Sequence, residues 1–350
     1  MGDGIRIGVL GASGYTGADL VRLAIAHPAM TVAGLTASTH AGKSMAEVFP
    51  HLGFVDLPPL TTVEDADWSA VDAVFSGLPH GTTQEIAKTV IAANPGLKFI
   101  DMSADFRLRD AATYKTWYGH DHLATELQAE AVYGLTEHYR EDIRGARLIA
   151  CPGCYPTAAL IALLPLVESG AIDANDIIID AKSGVSGAGR SLKQGSLFSE
   201  AGEGLSPYSV GKHRHAPEIE QEVSKTVGHT VVVNFTPHLA PMSRGELCTC
   251  YVRCTGATTA DDLRRVLAED YRDEPFVQVA ADGVLPQTQN VRGSNYVQVG
   301  VVADRIPGRA IVISTLDNLV KGSAGQAIQN FNLMFCLEET TGLRQQPLFP

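Results

Sequence analysis

No run in this sequence approaches 18 uninterrupted apolar residues, so no segment is expected to cross a membrane as a helix. Cysteine is scarce, six residues in 350, without the spacing of a disulfide framework, and no charged-then-apolar leader follows Met1. Both features point to a reducing cytoplasm. Positive charge is also short. The 27 Lys and Arg against 39 Asp and Glu leave a net charge of −12, which argues against nucleic acid and anionic membranes as partners. A local basic pocket for a small anion is still allowed. There is no internal repeat, no low-complexity tract and no second CxxC that would complete a zinc site, so no metal is expected.

What is present is a chain of 45% hydrophobic residues, enough for a large core divided between two domains. It is organised around Cys151-Pro-Gly-Cys-Tyr-Pro-Thr157. A short apolar strand, Arg147 to Ala150, leads in, and an apolar helix from Ala158 to Val167 leads out. A thiol at the mouth of a helix meets unpaired N–H groups and the positive end of the helix dipole, which favour a nucleophilic thiolate. Gly153 permits the sharp turn and Pro156 fits the first helical turn. Cys154, nearer the helix, is the nucleophile on this reading. The competing readings are a CxxC redox pair, half of a zinc site and an inert core thiol.

The first 150 residues read as repeated strand–helix units, a doubly wound α/β domain. Strand Ile5–Leu10 runs into Gly11-Ala-Ser-Gly-Tyr-Thr-Gly17 and a helix from Ala18 to His27, the arrangement that rests a dinucleotide pyrophosphate on a helix N-terminus. The spacing is G-x-x-G-x-x-G, a variant of the commoner G-x-G-x-x-G. A second strand, Thr31–Leu35, is followed by Thr36-Ala-Ser-Thr-His40 with no carboxylate to repel a 2′-phosphate, so Ser38 and Thr39 favour NADP over NAD. Strands Val71–Phe75 and Leu97–Asp101, around a helix Thr82–Ala93, end in Ser76–Gly81 and Met102–Arg107. Arg107 is either a clamp for phosphate or carboxylate or an ion-pair partner of Asp101 or Asp105.

The second half is expected to be α+β, with a mixed, largely antiparallel sheet covered by helices. Its candidate strands are Ile177–Asp180, Thr230–Asn234, Leu247–Cys254, Tyr296–Ala303 and Ala310–Leu316, with helices over Glu218–Val227 and Ala260–Tyr271. Cys248, Cys250 and Cys254 fall on one strand face, as sheet packing rather than metal ligation. Two loops carry chemistry. Lys182–Arg190 is rich in glycine and hydroxyls, suited to a phosphate or a cofactor amide. Gly211-Lys-His-Arg-His215 concentrates four basic side chains before a helix and offers an acid–base imidazole beside anion-binding cations. The closing segment, Leu316 to Ala327 and a helix to about Phe335, contains small residues that permit close backbone approach. It is expected to return to the first domain and bring Asn318 near the nicotinamide. The expected division is 1–153 for NADP binding, 154–316 for substrate and 317–350 as the returning helix.

Taken together, Gly11–Gly17, Ser76–Gly81, Met102–Leu108, Cys151–Thr157, Lys182–Arg190, Gly211–Ile219 and Asp317–Ala327 make the chain resemble the N-acetyl-γ-glutamyl-phosphate reductase family from end to end. The family sits among the semialdehyde dehydrogenases. The resemblance implies an NADPH-dependent, arginine-biosynthetic reduction of an acyl phosphate, with release of inorganic phosphate. Cys154 would then form a thioester and His215 act as the acid–base. It places the cofactor on Gly11, Ser13, Gly14, Tyr15, Thr16, Gly17, Ser38, Leu78, Pro79, Gly184 and Asn318. It places the substrate on Arg107, Ser186, Gly187 and His213. One departure is Thr39, where an arginine often stands. A sheet-rich second domain makes a homodimer or homotetramer the expected assembly. Rival readings are an N-acetyl-aminoadipyl-phosphate or aspartate-semialdehyde type enzyme, and a non-catalytic NADP-binding sensor.

Overall fold

A computed structural model describes residues 4–350. The chain forms two compact units. One comprises the chain up to Pro152 together with Ser323–Arg344, and the other comprises Gly153–Gly322 with Gln345–Pro350.

The first unit holds a seven-stranded sheet of β1 (Ile5–Leu10), β2 (Met30–Thr36), β3 (Leu60–Thr61), β4 (Ala73–Ser76), β5 (Lys98–Asp101), β6 (Val132–Tyr133) and β7 (Leu148–Ala150). Every pairing is parallel, in the order β3-β2-β1-β4-β5-β7-β6. Strand order reverses between β1 and β4, so the loops after them open a crevice at their carboxyl ends. The central strands β4, β5 and β7 are buried on both faces, as crossover helices require. The helix after the first glycine turn spans Tyr15–Ala24, three residues earlier at each end than its apolar pattern suggests. Asp105 accepts from the Gly81 and Thr83 N–H groups at 2.6 and 2.8 Å, supplying from a distant loop the cap of helix Thr83–Ala93. The terminal helix Gly325–Met334 is buried along its length. Its polar side chains are partnered: Gln326 and Asn330 both donate to the Gly134 carbonyl, at 2.7 and 2.8 Å.

The second unit holds another seven-stranded sheet: β8 (Ile172–Gly184), β9 (Ser206–Pro207), β10 (Asn234–Ala240), β11 (Glu246–Cys254), β12 (Val277–Val279), β13 (Val297–Ala303) and β14 (Arg309–Leu316). Its order is β12-β13-β14-β11-β8-β10-β9, with β12/β13 and β8/β10 parallel and the other pairings antiparallel. The mixed, largely antiparallel sheet read from the sequence is therefore present. One strand is misplaced by that reading. Thr230–Val233 is not a strand, because neighbouring side chains take its donors: Val231 N–H goes to Ser224 Oγ at 2.9 Å and Val233 N–H to Glu220 at 3.2 Å. The strand starts at Asn234 and continues through Pro237 to Ala240.

Helix Cys154–Glu168 packs on this sheet and is buried from Tyr155 to Val167. It tolerates Pro165 because the carbonyl that proline leaves without a donor, that of Ile161, accepts instead from the Tyr271 hydroxyl at 2.8 Å. Among the described residues, no helix is long and apolar enough to cross a membrane.

Candidate active site

In the first unit the glycine turn packs closely on itself and on the turn after β4. Gly11 has φ +74, and a Cβ there would stand 2.8 Å from the Gly77 carbonyl at the turn after β4. A Cβ on Gly17 would stand 2.5 Å from the Gly11 oxygen. Any side chain would therefore push apart the two turns at the switch point. Gly14 starts helix Tyr15–Ala24 with no side-chain cap, which leaves a dipole end suited to pyrophosphate. Ser13, Tyr15 and Thr16 lie on the same turn, and Leu78 and Pro79 follow β4. Ser38 and Thr39 are exposed beyond β2, and no carboxylate stands among residues 36–40. These residues fit a dinucleotide.

Arg107 is nearly buried. Its Nε donates to the Cys151 carbonyl at 2.8 Å and a terminal nitrogen to the Met102 carbonyl at 3.0 Å, tying together the ends of β7 and β5. Cys151 itself is fully buried. Burial pushes its thiol up to about 12, only partly offset by the Asn330 amide 3.7 Å from the sulfur. No disulfide joins it to Cys154, and all six cysteines are free.

The second unit holds the remaining candidates. Cys154 is the first residue of its helix, with Gly153 as an N-cap that offers no side chain. The Gly153 N–H donates to the buried Glu218 carboxylate at 2.8 Å, so the adjoining helix Ala216–Val227 fixes this turn. Gly322 packs on the cysteine, since a Cβ there would stand 2.8 Å from Cys154 Cβ. The close approach read from the small residues of the closing segment is made here.

Above this turn lies an aromatic cluster. The rings of His213 and His215 are 4.7 Å apart, and the Tyr155 ring lies 5.9 Å from each. Tyr208 and Phe235 enclose His213 at 5.3 and 5.4 Å. Burial, with Arg214 beside it, lowers the His213 pKa to about 4, so this imidazole is neutral near pH 7. Its Nδ1 accepts the His215 N–H at 3.1 Å, which assigns the ring proton to Nε2. Asn318 spans two loops: its Oδ1 accepts from Gly245 N–H and its Nδ2 donates to Ser186 Oγ, both at 2.9 Å. Gly184 lies against the backbone of residues 242–244, and Gly187 against Ser183 Oγ.

Sequence reasoning missed Glu246, at the start of β11. It is fully buried, and its pKa is pushed up to about 8 by burial; interactions with Cys154 and Ser183 oppose the rise and the Asp317 charge adds to it. The signal was available: Glu246 shares a period-two face with Cys248 and Cys250, a carboxylate where that face is otherwise apolar. Glu218 was also overlooked, although it opens a helix beside the histidine motif.

Comparison with known proteins adds identity to this geometry. Residues 6–146 match the model of the semialdehyde dehydrogenase NAD binding domain, and 154–318 that of the semialdehyde dehydrogenase dimerisation domain. The first unit is thus a nicotinamide-dinucleotide domain. An N-acetyl-gamma-glutamyl-phosphate reductase of Rhodospirillum rubrum is 57% identical over the whole of both chains. A probable chloroplastic N-acetyl-gamma-glutamyl-phosphate reductase of Arabidopsis thaliana is 58% identical over 99% of this chain and 86% of that protein. Among solved structures, aspartate semialdehyde dehydrogenase II of Vibrio cholerae complexed with ASA has the same fold, with TM-score 0.72 at 18% identity over 95% of this chain and 98% of that one. The aspartate semialdehyde dehydrogenase of Candida albicans with NADP gives TM-score 0.67 at 19% identity, over the same 95% and 98%.

Proposed function

Because the chain belongs to the N-acetyl-gamma-glutamyl-phosphate reductase family, we propose that it reduces N-acetyl-γ-glutamyl phosphate to N-acetylglutamate 5-semialdehyde with NADPH, in arginine biosynthesis. The observation that carries the reading is Cys154 at the first position of a helix that no side chain caps. The Cys154 thiolate attacks the acyl carbon, the carbon–oxygen bond to phosphate breaks, phosphate leaves, and a thioester remains on the sulfur. When bound, the cofactor supplies the hydride that reduces this thioester carbon. His215 protonates the resulting oxyanion, and breaking the carbon–sulfur bond returns the thiol and frees the aldehyde. His213, neutral and enclosed by aromatic rings, holds the His215 backbone instead of transferring the proton.

Gly11, Ser13, Gly14, Tyr15, Thr16, Gly17, Ser38, Leu78 and Pro79 hold the cofactor on the first unit. On the second unit Ser186, Gly187 and His213 serve the substrate. The exposed Ser38 and Thr39 hydroxyls favour the 2′-phosphate of NADP(H). The enzyme works in the cytoplasm as a homodimer or homotetramer, consistent with its dimerisation-domain match.

The test is phosphate-dependent reduction of NADP⁺ by N-acetylglutamate semialdehyde, against its one-carbon-longer and unacetylated analogues. The expected kcat/KM favours the named substrate about tenfold or more, within the ~1–3 kcal/mol that a methylene commands. NADP(H) should bind at least about tenfold tighter than NAD(H). Equal rates with the unacetylated aldehyde would reassign the substrate, and equal cofactor affinities would remove Ser38 and Thr39 from the 2′-phosphate site. No turnover with any of them would leave a dinucleotide-binding sensor.

A further inference from the structure

Glu246 lies in register with Ser183 on β8 and Leu316 on β14, at the centre of the second unit's sheet. The Leu316 side chain borders Gly322, and Gly322 in turn borders Cys154 Cβ, so the half-buried start of the cysteine helix and the buried start of β11 share one corner. Both carboxyl oxygens of Glu246 are buried without a hydrogen bond of ordinary geometry, although Cys154 and Ser183 are the polar groups acting on them. A carboxyl so enclosed, with no cation among the described residues paired with it, resists ionisation unless a neighbour exchanges a proton with it.

We propose that Glu246 is the proton partner of Cys154, a positioning residue that takes the thiol proton and returns it as a hydrogen bond to the thiolate. This rests on reading Cys154 as the nucleophile. The sulfur–hydrogen bond breaks with its electron pair left on sulfur, an oxygen–hydrogen bond forms on Glu246, and the pair carries one negative charge before and after. Two full charges in this corner would repel beside the buried carboxyl, so the single charge is shared. Glu246, pushed up to about 8 by burial, can hold a proton at neutral pH.

The other groups facing the carboxyl are few. Tyr155 and Tyr208 sense its charge, and burial raises both phenols far above neutrality, so they stay protonated. Cys248, on the same strand face, is raised by burial and stays a thiol. Asp317 adds negative charge, compensated by Arg244 at 3.5 Å. Cys154 is therefore the group with which Glu246 can trade a proton near neutral pH.

The experiment is the pH dependence of iodoacetamide modification of Cys154 in the full-length protein, with the modified residue identified by mass spectrometry. Wild type should rise in two steps, as expected of a coupled pair. Glu246→Gln should rise in one step and reach its plateau about one pH unit or more earlier, because the like charge is gone. Glu246→Asp should restore the second step. A Glu246→Gln curve that superimposes on wild type, or keeps two steps, overturns the proposal. Should Glu246→Gln fail to fold, difference infrared spectroscopy of wild type with ¹³C-labelled glutamate decides. Alkylating Cys154 must shift one protonated-carboxyl band, and an unchanged spectrum overturns the pairing. Modification is read on Cys154 without turnover, so its outcome is separate from the activity of Cys154→Ser, which judges the nucleophile itself.

Discussion

Helices Tyr15–Ala24 and Cys154–Glu168 both begin behind a glycine and both lack a side-chain cap. Their surroundings differ. The first opens onto a crevice with Tyr15 39% exposed, whereas the second is buried from its second residue and has its N-cap amide on Glu218. An uncapped start favours negative charge in either place, but what that charge does depends on the first side chain and on access. Under the proposed mechanism the first start binds, and the second, which carries the Cys154 thiol, reacts. Cys151 shows the opposite limit: the same chemical group three residues earlier, sealed in a core where it resists ionisation.

The largest expected effect breaks the cysteine comparison. Cys154→Ser replaces the thiol with a hydroxyl that stays protonated at neutral pH, and turnover should fall by about 10³-fold or more. Cys151→Ser keeps the volume and should retain most activity. Steady-state assays of the two variants decide, and the reverse ranking would hand the role to Cys151.

A smaller effect separates the imidazoles. His215→Asn should lower kcat by about 10²-fold with dinucleotide affinity intact, and His213→Asn should act more weakly and chiefly on KM. Fluorescence titration with NADPH alongside the assay distinguishes chemistry from binding.

The smallest effect is on stability. The folded pKa of His213 lies below its usual 6.5, so the unfolded chain binds the extra proton first. The stability this gives is present above about 6.5 and is lost as pH falls toward about 4. His213→Gln should flatten that acid limb of the melting temperature by a few degrees. An unchanged slope would show that burial does not keep this ring neutral.

Much of this was legible in the chain. Local signals carry the glycine turn, the GCYPT strand–helix junction and the alternation of both sheets, because a turn or a period is written in adjacent residues. The Thr230–Asn234 reading failed because an apolar, β-branched run reveals nothing of Ser224 and Glu220 reaching across to take its amides. The cap that Asp105 gives to helix Thr83–Ala93 is hidden for the same reason, since the two lie about twenty residues apart. Glu246 was missed because burial of a lone carboxylate runs against residue-type expectation. Its position on an apolar face was the one warning.

All of the second unit but Gln345–Pro350 is an insertion in the first: the chain leaves at Pro152 and returns at Ser323. The two ends of the inserted segment abut, with Gly322 packed against Cys154. A ribosome therefore delivers the first unit in two instalments separated by 170 residues. Until the second arrives, Gly134 lacks both amide side chains that bind its carbonyl, and the surface destined for Gly325–Met334 is bare. The inserted unit can begin to fold while the dinucleotide domain is still incomplete, which reverses the usual N-terminal-first order of domain completion.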